Sequence, residues 1–94
     1  MLIVTLALAL TGCAETITGD ATAGADVFAA NCASCHGADG TGDEANGFPN
    51  LVEEAPDAAE IEEYVRDGEG VMPAFEGTLD DQEIADVVAY VDGL

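Results

Sequence analysis

The chain has 94 residues, enough for one small domain, and 49% of them are hydrophobic although only three Phe, two Tyr and no Trp are present. Twenty acidic residues face a single cation, Arg66, for a net charge of −19 at pH 7. Phosphate backbones are repelled by such a field, which excludes nucleic acid as a partner.

Leu2 to Leu10 form an apolar run too short to span a bilayer and of the right length for a signal-peptide core. The run ends in Leu10-Thr11-Gly12-Cys13, and small residues before a Cys resemble a lipoprotein processing box. Cleavage before Cys13 and acylation of Cys13 are therefore expected. The lack of Lys or Arg near Met1 departs from the usual pattern, and an ordinary signal or an uncut anchor is the alternative. The chain divides into a signal peptide (1–12), a tether (13–20) and a folded domain (21–94). Every acid follows Cys13, so the mature part carries the whole negative field. Steering toward a basic partner and solubility in a salty medium both call for acidity. Acids spread along the whole chain favour solubility as the main cause.

Asp20 or Thr22 caps a first helix running to about Ala33, with Gly24, Phe28 and Cys32 at four-residue spacing on one face. Phe28 is assigned to the core. Gly24 is a poor helix interior residue, and its use is the close approach of another helix. Next comes Cys32-Ala33-Ser34-Cys35-His36. Two thiols three positions apart can each add to a vinyl group of a porphyrin, and the following imidazole can reach the iron. Zinc is poorly served, because it wants four ligands and beyond His36 only Cys13 remains. A redox-active dithiol would follow a buried strand, and no β-branched run precedes Cys32. Two thioethers and one lipid thioether would use all three cysteines, leaving none for a disulfide.

Residues 37–47 read as loop, and their acids lack the alternating ligands of a calcium-binding loop. Pro49 is a turn residue. Asp57 with Glu60 opens a helix to about Asp67 that shows Ile61, Tyr64 and Val65 on one face, and Gly68 ends it. Tyr64 becomes pocket wall, its hydroxyl needing a partner or solvent. Met72, the only methionine besides Met1, sits in a Gly/Pro-punctuated loop (68–75) that no periodicity explains, so a thioether ligand to iron accounts for it better than core filling. Asp80 and Glu83 form a second capping box, with Leu79 stapled onto Ile84. The last helix runs toward Asp92, with Ile84, Val87, Val88 and Val91 inward, Asp81, Asp86 and Asp92 outward, and Ala85, Ala89 and Tyr90 open to a neighbouring helix. No segment reads as a strand.

The combination of CASCHG, Phe48-Pro49-Asn50-Leu51, GVMPAF and a final amphipathic helix, over about residues 21–94, resembles a bacterial class I cytochrome c. The resemblance implies an all-α small cytochrome c fold, three to four short helices wrapped round one covalent haem c, with His36 and Met72 as axial ligands. It also implies that the Pro49 carbonyl accepts from the far nitrogen of His36, and that Gly24 meets the C-terminal helix. Arg66, the sole cation, is a candidate partner for a haem propionate.

Six ligands held in both oxidation states imply a single-electron carrier rather than an enzyme; the chain is expected to be a monomer, exported to the periplasmic side and anchored through Cys13. Its partners would be redox proteins, with a basic docking face where steering operates. They would meet an uncharged patch of Ala33, Ser34, Ala38, Val71, Ala74 and Phe75. Two other readings stay open. One is a five-coordinate haem protein binding a gas or peroxide. The other is a tethered cytochrome subunit of a larger oxidase or reductase. Without haem the chain is expected to be unfolded or molten.

Overall fold

The structure is a computed structural model and describes residues 17–94. The signal segment and Cys13 lie outside the described residues. In chain order the helices are α1 (Ala21–Asn31), α2 (Ala33–His36), α3 (Leu51–Glu54), α4 (Ala58–Asp67) and α5 (Asp81–Asp92), with a 3-10 turn at Glu44–Asn46. No strand forms among the described residues, and two isolated bridges, Asp43 with Phe48 and Glu69 with Met72, pin the loops. The fold is the all-helical one expected.

The helix starts follow the capping chemistry. The Asp20 carboxylate accepts from Thr22 and Ala23 N–H, and Asp57 accepts from Glu60 N–H. Asp80 and Glu83 close a complete capping box, each side chain bonded to the other's backbone. α1 ends two residues earlier than expected. Its chain breaks at Cys32 and restarts as the single turn α2, which carries Cys35 and His36.

α1 crosses α5 closely enough that a Cβ on Gly24 would overlap the backbone carbonyl of Asp86 and press on Tyr90 Cβ. The approach places Phe28 against Tyr90, with ring centroids 5.2 Å apart. α4 also packs against α5. Phe28, Ile61, Val65, Leu79, Ile84, Val87, Val88 and Val91 form the core, and Val87 is fully enclosed. Leu79 and Ile84, the two ends of the expected staple, both belong to it.

Asp86 departs from the outward position that helical periodicity gave it, being only 7% exposed. The cause is the segment before α1. Asp20 N–H donates to Asp86 Oδ1 at 2.8 Å, Gln82 Nε2 donates to the same oxygen at 2.8 Å, and Gln82 Nε2 also reaches the Thr18 carbonyl at 2.9 Å. Gly19 lies so near α5 that a Cβ there would overlap the Ala85 carbonyl. Residues 18–20, read from sequence as tether, are thus laid along α5 and cover Asp86.

Candidate haem centre

The sulfur and nitrogen groups singled out in the sequence meet around one cavity of about 570 Å³. Cys32, Cys35 and His36 reach it from the α1–α2 break, Pro49 from the following loop, and Met72 from the loop after α4. Phe28, Ile61, Val65, Phe75, Val87 and Val91 give it apolar walls, and Glu54, Glu60 and Glu69 also border it. Tyr64 lines it while remaining 41% exposed. Phe28 therefore serves both the core and the cavity.

Each contributing loop is held by backbone bonds. The segment from His36 to Leu51 closes through Leu51 N–H to the Gly40 carbonyl (2.8 Å), a reciprocal pair between Asp43 and Phe48 (3.0 and 2.9 Å), and Gly42 N–H to the His36 carbonyl (2.6 Å). The Met72 loop is pinched by reciprocal Glu69–Met72 bonds at 3.1 and 2.9 Å and tied to α4 by Phe75 N–H on the Val65 carbonyl. Gly68 takes φ +68, and a Cβ there would overlap the Met72 carbonyl.

His36 Nδ1 lies 3.3 Å from the Pro49 carbonyl oxygen. A carbonyl oxygen only accepts, so the contact is a hydrogen bond only when Nδ1 carries the proton. In that tautomer Nε2 keeps a free lone pair, the arrangement that metal-ligating imidazoles use. Burial, reinforced by nearby Cys35, pushes the Cys32 thiol up to about 11, so in the closed fold it stays protonated at neutral pH.

Arg66 does not line the cavity. Its Nε donates to Glu62 at 3.2 Å and its Nη1 to Glu76 at 2.8 Å and Asp81 at 3.1 Å. The bonds to Glu76, Asp81 and Glu62 push its pKa further above the ordinary guanidinium range. The sole cation is thus engaged by three carboxylates on the surface, away from the pocket role expected of it. Asn50 was not singled out in the sequence, yet its side chain accepts from Val52 and Glu53 N–H and starts α3 beside the cavity. Asn50 followed by Glu53 is a capping-box spacing and was the available signal.

Two thiols, an imidazole with a free Nε2 and a thioether around an apolar cavity fit a covalently bound haem. They fit zinc poorly: among the described residues no group of three or more His, Cys, Asp or Glu could hold a metal ion. Residues 19–91 match the family described as cytochrome c oxidase, cbb3-type, subunit III. The chain is 42% identical over 80 residues to the cbb3-type cytochrome c oxidase subunit FixP of Bradyrhizobium sp., covering 80% of this chain and 28% of that one. It is 44% identical over 78 residues to cytochrome c6 of Leptolyngbya boryana, covering 77% of this chain and 89% of that protein. The crystal structure of cytochrome c6 from the diatom Phaeodactylum tricornutum superposes with a TM-score of 0.61 at 35% identity, covering 80% of this chain and 93% of that one. The chain accordingly spans under a third of the FixP relative and about nine-tenths of these two cytochrome c6 proteins. With matching motifs, helices and cavity, this chain belongs to the cytochrome c family as a cbb3-type cytochrome c domain, and the family's cofactor is covalently bound haem c.

Proposed function

We propose that this chain is a single-electron carrier. Cys32 and Cys35 hold one haem c as thioethers, and His36 Nε2 and the Met72 sulfur ligate its iron. The observation that carries the reading is the convergence of these four side chains on one apolar cavity. The bound group supplies a one-electron iron couple. His36 is oriented by Pro49, and the pinched Glu69–Met72 turn holds the thioether at the cavity, so neither ligand need move between oxidation states. A thioether as sixth ligand favours the reduced form and raises the potential. It also occupies the position a gas or peroxide would need, which disfavours the five-coordinate reading.

Val71, at 88% exposure, stands at the tip of the loop that carries Met72, with Ser34, Ala38 and Ala74 also exposed. Glu69 and Glu60 flank this uncharged area at the cavity wall. A redox partner with a basic rim around a small apolar contact would fit it in a brief, low-area encounter. The match to cbb3-type subunits supports a second reading, in which the same domain is a tethered subunit of a membrane oxidase. Among the described residues no helix is long and apolar enough to cross a membrane. In that reading acylated Cys13 would attach the domain on the periplasmic side, with an uncut N-terminal anchor as the alternative.

Mass spectrometry of the exported protein tests the reading: one haem's added mass on the peptide holding Cys32 and Cys35 is expected, with cleavage before Cys13 and acylation there. A far-red charge-transfer band in the oxidised protein would report Met72 ligation. Colourless native material with free thiols would overturn the assignment. Co-purification with an oxidase separates the tethered subunit from the free shuttle.

A further inference from the structure

We infer that Gly42 is a positioning residue for the axial histidine, acting through Pro49. This rests on the reading of His36 as iron ligand. Gly42 takes φ +70, a conformation that side-chain-bearing residues rarely adopt. Space matters more here than the dihedral. A Cβ at Gly42 would overlap the carbonyls of both Phe48 and Pro49, while its N–H bonds the His36 carbonyl at 2.6 Å. Gly42 thus lies between the backbone of the histidine and the carbonyl that faces the histidine's ring. Its lack of a side chain sets how near Pro49 comes to His36 Nδ1, 3.3 Å away. The Asp43–Phe48 bridge just beyond prevents the loop from yielding at that point.

The chemical consequence concerns the electrons on Nε2. An Nδ1–H that donates to a carbonyl makes the imidazole a more basic donor, which stabilises the oxidised iron and lowers the potential. Pushing Pro49 outward removes that contribution.

Gly47 provides the control. It has φ +82, in the same loop, but nothing lies within 4 Å of a Cβ there. Gly47→Ala therefore introduces the dihedral strain without the clash. In the haem-loaded protein, Gly42→Ala is expected to move the midpoint potential upward and to speed exchange of the His36 Nδ1 proton. Gly47→Ala, which borders the cavity but meets no backbone, should move both far less. Equal potentials and exchange rates in the two variants would overturn the inference. If Gly42→Ala does not fold, the wild type decides: the Gly42 amide and the His36 Nδ1 proton should exchange together. A ring proton far less protected than that amide, each measured against its own free exchange rate, would refute the link. Failure of the ligand reading itself would look different, with no haem bound to the wild type at all.

Discussion

The α1–α5 crossing and the cavity side are built on opposite plans. At the crossing, Gly24 and Gly19 bring backbones together, Phe28 meets Tyr90 in a tilted ring contact, and Val87 is fully enclosed. The cavity side adds single-turn helices and glycine-bent loops to residues of α1, α4 and α5, around a space of about 570 Å³. Packed side chains hold the first region. In the second, the loops are tied by scattered backbone bonds, and the core side chains Phe28, Ile61, Val65, Val87 and Val91 also border the cavity. The contrast teaches that the polypeptide specifies its helical framework, while the cofactor completes the core of the remainder.

The largest test of that division removes the attachment points. With Cys32→Ser and Cys35→Ser together, covalent haem should be lost and near-UV circular dichroism should collapse, while much of the far-UV helix signal survives. Hydrogen exchange should then run unprotected across residues 37–56 and 68–76 and stay slower in α1 and α5. Uniform protection would erase the distinction. Phe28 belongs to both regions, so Phe28→Ala should cost about 3–5 kcal/mol in denaturant unfolding of the loaded protein and disturb the haem spectrum as well. A stability loss with an untouched spectrum would confine Phe28 to the framework. Gly24→Ala forces α1 off the Asp86 carbonyl, and a loss of about 1–3 kcal/mol is expected with the spectrum unchanged. Asp86→Ala leaves the Asp20 N–H without its acceptor and should cost about 1–2 kcal/mol, measured the same way.

The smallest effect is electrostatic. Glu69, then partial desolvation and Glu60, hold the Tyr64 phenol above its usual range. Its ultraviolet titration midpoint should lie above that of a free tyrosine and fall back toward it as salt screens the carboxylates. A midpoint indifferent to salt would point away from Glu69.

How much of this was legible in the chain depended on whether the cause was local. The caps at Asp20, Asp57 and Asp80 act within a single turn, and all three start helices where the sequence placed them. The inward valines of α5 obey a periodicity that one helix suffices to set. Gly24 was readable because a helix interior tolerates glycine poorly unless something comes near. Cys32, Cys35 and His36 are adjacent in the chain, so their chemistry could be read directly, and the structure brings Met72 to the same cavity. Asp86 was misplaced because its burial depends on residues 66 positions away, which no helical wheel contains. The partners of Arg66 were hidden for a similar reason: Glu76 and Asp81 reach it through folding.

The clamp of residues 18–20 on α5 also sets the length of any leash. Were Cys13 acylated, only residues 14–17 would separate the lipid from Thr18, a contour of roughly 18 Å when fully stretched. Such a domain would skim the bilayer surface with the start of α1 lowermost, and its electron traffic would be confined to acceptors standing within that thin layer.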